Sequence, residues 1–198
     1  MIEAIVAVAI IGIALVGFLS QSTYNYLAVS ESFTRNIASN LAREGLEVVR
    51  NMRDTNWLKG CPSPEKPAEC FVWNSGFSHN MEYSAVANFD MDAKKWSLGF
   101  VNKDFDICVT SETCRLYGNQ SGFLTALPTN AEPSIYYRQL ELRPICADAF
   151  ECGGDGVCVS GEKCSGAQIG IEVAARIGWK KGGEWRNVML AERLYNWK

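Results

Sequence analysis

The chain of 198 residues begins with an apolar run that has no counterpart later in the sequence. Residues 4–19 carry no charge, and one acidic residue, Glu3, precedes them. Together with Met1 and Ile2 the run reaches the lower limit for crossing a bilayer, which needs about 20 apolar residues, with a range of about 17–25. It lacks the basic leading segment and the small-residue cleavage site of a secretory signal. We therefore expect a helix whose apolar surface stays with the mature chain.

A helical period continues beyond this run. One face is apolar at every third or fourth position, and the opposite face is polar. No proline occurs before Pro62, so we predict one helix over about residues 1–53, roughly 80 Å long at ~1.5 Å per residue. As domains, we assign 1–59 to the helix (1–20 apolar, 21–59 amphipathic) and 60–198 to a globular part. We expect the amphipathic stripe to pack on a sheet through Ala38, Leu41, Ala42, Gly45, Val49 and Met52.

The apolar half must be buried in lipid or against copies of itself, because it is longer than one small domain can cover. Glu3 bears on this choice. A carboxylate within hydrocarbon is costly unless it is neutralised or paired, so such an acid is a functional-site hypothesis by default.

Glu3 and the following AIVAVAIIGI resemble the mature N-terminus of type IV pilins and the related pseudopilins. Residues 42–57 are similar to the end of the long helix in such chains. The closing pattern around Gly178, Trp179 and residues 185–190 is similar to the end of minor-pilin-type chains. The chain has fewer residues ahead of the glutamate than the family usually has, and Phe18-Leu19-Ser20-Gln21 stands where many major pilins have a proline.

The resemblance implies an α+β fold, in which a long N-terminal helix packs on an antiparallel sheet, and a subunit of an extracellular filament. Glu3 would meet the N-terminal amine, here that of Met1, of a neighbouring copy. The implied partners are copies of the chain, membrane lipid before assembly, a leader peptidase and an assembly machine in the inner membrane. The filament core would be formed by Ile5, Val8, Ile10, Ile11, Ile13, Leu15 and Phe18.

The globular part predicts an antiparallel sheet of four or five strands. Alternation of apolar and polar residues is clear over 169–180, and Lys181-Gly182-Gly183 predicts a turn into a second strand, 184–190. Residues 134–145 are expected to pair beside them. Weaker strand candidates are 82–89 and 105–109.

All eight cysteines lie beyond Gly60, and their even number and short spacings favour disulfides in an oxidising compartment over a zinc site. No Cys-x-x-Cys pair of the kind common in zinc sites occurs. We expect disulfide-stapled loops. For the last four cysteines three pairings are open, and we favour the nested one. The expected pairs are Cys61–Cys70, Cys108–Cys114, Cys146–Cys164 and Cys152–Cys158.

Other chemistry is weakly indicated. The single histidine, His79, gives no catalytic triad, and no phosphate-binding glycine loop occurs, so we expect neither an enzyme nor a cofactor. The net charge of −3 does not favour nucleic acid.

Asn119-Gln120-Ser121 matches a glycosylation triplet, which often occurs by chance. The tryptophans Trp179, Trp185 and Trp197 favour sheet packing over sugar binding. Calcium is an alternative for Asp148, Glu151, Asp155 and Glu162, although their spacing is not that of an EF-hand, and we expect no metal.

Three functions stay open at this point: a structural pilin, a minor pilin or secretion pseudopilin that primes or tips a filament, and a surface binding module that keeps the helix as an anchor. Long homopolymers would separate the first from the others. A defined ligand of the 146–164 loop would favour the third.

Overall fold

A computed structural model gives the fold of the chain. The residues that it describes are 1–60, 72–77, 83–90, 93–101, 103–118, 124–126, 128, 131–159, 162 and 164–196. By contacts the chain divides into two units, Met1–Ile37 and Ala38–Lys198. The expected Cys61–Cys70 pair, His79, the glycosylation triplet and Trp197 lie outside the described residues.

The first element is one long helix, α1, over Ile2–Lys59. It extends six residues past the end predicted at Arg53. Gly60 follows with a positive φ of 49°, the backbone conformation in which glycine commonly terminates a helix. Within the last turn of α1, the Asn56 side-chain amide donates to the carbonyl oxygens of Trp73 and Ser75 at 3.2 and 2.8 Å. These bonds hold the segment after the helix against its last turn.

Seven strands form one antiparallel sheet in the described part of the chain, more than the four or five predicted. β5 pairs with β6 on one side and with β1 and β3 on the other, while β7 pairs with β6. The strands are β1 Ser84–Asp90, β2 Lys95–Phe100, β3 Arg115–Gly118, β4 Leu124–Thr125, β5 Glu132–Cys146, β6 Gln168–Lys181 and β7 Glu184–Tyr195.

Strands β6 and β7 lie where the alternation over 169–180 and the glycine turn that follows it predict a hairpin. β6 and β7 pair without interruption from Gly170↔Tyr195 to Lys181↔Glu184. Gly182 and Gly183, with φ of 60° and 90°, form the turn between them. This two-residue turn with two positive φ angles is the form that favours glycine and continues the strand twist. The predicted hairpin is therefore confirmed, and β7 continues five residues beyond the predicted end.

The prediction of a strand at 105–109 was wrong, because Phe105–Thr110 is a short helix, α2. Phe105, Cys108 and Val109 are buried, whereas Ile107 is 55% exposed. This burial has the spacing of a helix face rather than of a strand. The Thr110 hydroxyl donates to the carbonyl of Asp106 at 2.8 Å, which supports the helical turn. Strands β2, β3 and β4 were not predicted.

The core of the Ala38–Lys198 unit lies between the second half of α1 and one face of the sheet. Even-numbered residues of β5 share this face with odd-numbered residues of β6, as the pairs Leu140↔Ala175 and Leu142↔Val173 show. All four are buried. The opposite face is partly covered by α2, whose buried residues cluster with Tyr137. The α+β fold predicted from the sequence, a long helix on an antiparallel sheet, is confirmed.

Candidate functional site

The first candidate site is the apolar half of α1. Every residue from Met1 to Val29 is exposed. In the described residues, α1 is the one helix long and apolar enough to cross a membrane, so this half could serve as a membrane anchor. Glu3 lies exposed in its first turn. The residues assigned to a filament core are each more than half exposed: Ile5, Val8, Ile10, Ile11, Ile13, Leu15 and Phe18.

The second half of α1 has its own partner. Ala38, Ala42 and Val49 are fully buried and Leu41 is 6% exposed. Gly45 is buried on the same face, and Met52 is half-buried. These are the residues that the sequence assigned to helix–sheet packing, and the structure places them along one face of the helix.

Gly45 marks the closest approach of α1 to the sheet. A Cβ atom at this position would lie 2.8 Å from Cδ2 of Leu140 and 3.5 Å from the Cβ of Ala175. Gly12, in the apolar half, has nothing within 4 Å of the same position. The absence of a side chain at Gly45 therefore allows the α1 backbone to approach the sheet closely, whereas Gly12 has no such contact within the chain.

An ion pair under the helix, between a buried arginine and a glutamate whose side chain is 37% exposed, was not foreseen. Arg138 of β5 is 1% exposed, and its Nη1 lies 3.3 Å from Oε1 of Glu44 on α1. Burial lowers the pKa of the Arg138 guanidinium, while Glu44 opposes that shift. Arg138 also faces the ring of Trp96, 5.8 Å from its centroid. The alternation Tyr136, Arg138, Leu140 was the available signal, since it places Arg138 on the inner face.

A second ion pair links α1 to the edge strand. Arg50 donates from Nη2 to Oε1 of Glu192 at 2.6 Å, and it also contacts Glu47 on its own helix. The hydrogen bond to Glu192 raises the pKa of Arg50. The Arg50 and Glu192 side chains are 34% and 35% exposed. Solvent therefore reaches both partners of this pair, whereas it does not reach Arg138 in the first pair.

The second candidate site is the loop between β5 and β6, residues 147–167. The structure has the nested pairing that the sequence favoured, with Cα–Cα distances of 5.4 Å for Cys146–Cys164 and 4.6 Å for Cys152–Cys158. Cys108–Cys114 is also bonded, at a Cα–Cα distance of 5.6 Å. The Cys146, Cys152 and Cys158 side chains form a small buried cluster of their own, with Cys164 packed against it. Two disulfides thus form the centre of the described part of this loop.

The four sulfur atoms of this cluster lie within 4.8 Å of one another. Four thiolates so placed are the kind of ligand set that binds zinc. In the structure, however, each sulfur is bonded to another, so none of them is a thiolate. The oxidised loop therefore offers no sulfur ligand to a metal.

The acidic residues of the loop have structural partners instead of a common centre. Asp148 accepts from the backbone N–H of Phe150 at 2.9 Å, and Asp155 accepts from Val157 at 2.9 Å. The Glu151 carboxylate accepts from the backbone N–H groups of Ser165 and Gly166. The Glu162 carboxylate accepts from the backbone N–H of Val159. These carboxylates satisfy donors that a loop without regular structure would leave unpaired.

Tyr83 connects this loop to the rest of the sheet. Its ring is 9% exposed, and its hydroxyl donates to the carbonyl oxygen of Glu162. Burial raises the pKa of the Tyr83 phenol, and the charge of Glu162 adds to that shift. No local sequence pattern indicates this bond, because it joins residues 79 positions apart.

Two aromatic side chains at the ends of the sheet are exposed. Phe150, in a 3₁₀ turn over Ala149–Glu151 of the loop, is 91% exposed. Trp185, next to the β6–β7 turn, is 48% exposed, and one edge of its ring packs on Tyr137 with centroids 5.4 Å apart. Trp179, by contrast, is fully buried. Trp179 therefore packs in the sheet as expected, whereas Trp185 is packed on Tyr137 but remains about half exposed.

No protein-family model matches the chain, and neither does any curated protein or solved structure.

Proposed function

We propose that this protein is a structural subunit of an extracellular filament of the type IV pilus class. One contrast carries the proposal. No residue of α1 from Met1 to Val29 is buried, whereas the unit Ala38–Lys198 has a core of its own. A soluble monomer rarely exposes so large a contiguous apolar surface. Lipid covers that surface before assembly, and copies of the same helix cover it in the filament.

Glu3 supports assembly over simple anchoring. A membrane anchor needs only apolar residues, and a carboxylate near its end adds a desolvation cost. In a bundle of identical helices, the N-terminal amine of a neighbouring copy would neutralise Glu3 and so fix the axial register of the copies. A buried pair of this kind is best suited to setting register rather than to adding stability.

The first test is electron microscopy of filaments sheared from the surface of the source cells, with mass spectrometry of their subunits. We expect uniform helical filaments built mainly of this chain. Detection of the chain only as a trace at filament tips would favour the minor-pilin or pseudopilin role. Detection only in membranes would contradict assembly and favour an anchored binding module.

The second test separates the charge of Glu3 from its size. Glu3→Gln keeps the shape of the side chain but removes the partner of the neighbouring amine, so we expect filament yield to fall at least about tenfold. Glu47→Gln is the matched control, because it removes a carboxylate from an exposed position of the same helix. Equal yields for the two variants would contradict the assigned role of Glu3. The membrane content of unassembled chain should not fall in either variant, because neither change adds a charge to the apolar half.

A further inference from the structure

The two ends of β6 differ in charge, and each carries an exposed aromatic side chain. The loop before β6, residues 147–167, contains four acidic residues and one lysine. The hairpin after it, residues 180–186, contains three basic residues and one glutamate. Their net charges are therefore −3 and +2. Phe150 stands out from the acidic end, and Trp185 from the basic end.

Both ends are held by several bonds among the described residues. The loop is held by two disulfides and by carboxylates that cap its backbone. The hairpin is held by the full β6–β7 ladder, which ends in the pair Lys181↔Glu184. Exposed aromatic residues on rigid supports lose little conformational entropy on binding, which is why they are frequent anchors of protein interfaces.

We propose that the acidic loop of one copy docks on the basic hairpin of the next copy, with Phe150 against the surface formed by Trp185 and the stem of Lys180. This inference rests on the proposed filament function and names the contact between its globular parts. The ends lie at opposite ends of a 14-residue strand, so a copy that docks in this way leaves its other end free. Head-to-tail contacts of this kind generate an open helical array when the rotation between copies does not close into a ring, and the open array is the arrangement that a filament requires.

The charges select the partner as well as the orientation. Loop against loop and hairpin against hairpin would place like charges together, which disfavours both arrangements. Loop against hairpin is the complementary arrangement within a single kind of chain. Steering by these charges also predicts that salt weakens the contact.

Carbodiimide cross-linking of sheared filaments tests this contact, because the reagent joins a lysine to a carboxylate without a spacer. We expect cross-links from Lys180 to Asp148 or Asp155. The strand between these ends spans about 45 Å at ~3.3 Å per residue, so such a cross-link can form only between copies. Filaments that contain the chain but whose cross-links join other surfaces would overturn this inference and leave the proposed function standing. If no filament contains the chain, both fail.

Variants give an independent readout. Phe150→Ser and Lys180→Glu should each lower filament yield by about tenfold, and a second change, Asp155→Lys, should partly rescue Lys180→Glu. Met189→Ser removes a side chain that is 52% exposed in the middle of β7, and Lys95→Glu reverses an exposed charge at the start of β2; both should assemble normally. Yields that fall equally in the controls, or closed dimers in place of filaments, would overturn the head-to-tail contact.

Discussion

The two halves of α1 are one continuous helix, but they meet opposite environments. Within the chain, the half up to Val29 has no buried residue, whereas the half from Ala38 to Asn56 contributes nine buried residues. An isolated helix draws little stability from propensity alone, and most helical stability in proteins comes from packing of one face. The second half is therefore stabilised by packing on its own sheet, while the first half has no buried residue up to Val29 and gains no such packing within the chain.

The largest difference in stability between the two halves should appear when an aspartate is placed in each of them in turn. Val49→Asp buries a carboxylate at a fully buried position, so we expect a loss of at least about 4 kcal/mol in the free energy of unfolding of the Ala38–Lys198 unit. Val8→Asp alters a residue that is 71% exposed and should change that free energy by less than about 0.5 kcal/mol. Near-UV circular dichroism of the full chain in detergent during denaturant unfolding measures both.

Val8→Asp should instead weaken membrane binding, because an acid in the middle of a spanning helix costs about 2.5–3.5 kcal/mol. Flotation with lipid vesicles measures this loss. If Val8→Asp destabilised the globular unit as much as Val49→Asp does, both halves of the helix would contribute to its stability, contrary to the contrast drawn above.

The next largest effect concerns the charges under the helix. Glu44→Ala leaves Arg138 buried without its ion-pair partner, so we expect a loss of about 2–3 kcal/mol. Adding Arg138→Met removes the stranded charge and should recover part of that loss. In the comparison pair, Glu192→Ala leaves behind Arg50, which is 34% exposed and can be hydrated, so this change should cost no more than about 1 kcal/mol. A double-mutant cycle with additive losses at Glu44 and Arg138 would contradict their coupling.

These contacts also show what the sequence could and could not reveal. Sequence analysis predicted the three long strands from three different signals: alternation indicated β6, the Lys181-Gly182-Gly183 turn indicated β7, and the Tyr, Ile and Leu content of 134–145 indicated β5. It missed β2, β3 and β4, which are six, four and two residues long. For strands this short, the partner strand decides the conformation more than the sequence does.

The candidate sites divide in the same way. Features carried by neighbouring residues were visible: the apolar run, Glu3, the stripe ending at Met52 and the nested cysteines. Features that join distant parts of the chain were not, such as the Arg138–Glu44 pair and the bond from Tyr83 to the loop. The error at α2 was local: Phe105, Ile107 and Val109 alternate, but the chain buries Phe105, Cys108 and Val109.

The two glycines sharpen the comparison further. Alanine favours a helix over glycine by up to about 1 kcal/mol, so propensity alone predicts that both Gly12→Ala and Gly45→Ala stabilise. We expect Gly45→Ala to destabilise by about 1–3 kcal/mol instead, because its Cβ would lie 2.8 Å from the fully buried Leu140. Gly12→Ala should raise helicity and leave unfolding of the globular unit unchanged. Denaturant unfolding and far-UV circular dichroism give the two values, and a stabilising Gly45→Ala would show that the helix and sheet can move apart.

The smallest effect concerns the link between loop and sheet, and it depends on pH. Tyr83→Phe removes the hydrogen bond to the Glu162 carbonyl and should cost about 1 kcal/mol at pH 7. Because burial raises the pKa of Tyr83 above its ordinary value of about 10, the native state holds this proton more tightly than the unfolded chain does. The stability that follows is complete below about pH 10 and is lost as the pH rises through the raised pKa.

The wild-type chain should therefore lose more stability between pH 9 and pH 11 than Tyr83→Phe does, and the difference between them should shrink. The variant should keep some alkaline sensitivity, since burial also raises the pKa values of Tyr136 and Tyr137. Tyr26→Phe, at a ring that is 74% exposed in the first half of α1, is the control for loss of a hydroxyl at pH 7. Parallel stability curves for wild type and Tyr83→Phe would mean that the Tyr83 proton is no more tightly held in the folded protein, and that the loop does not depend on it.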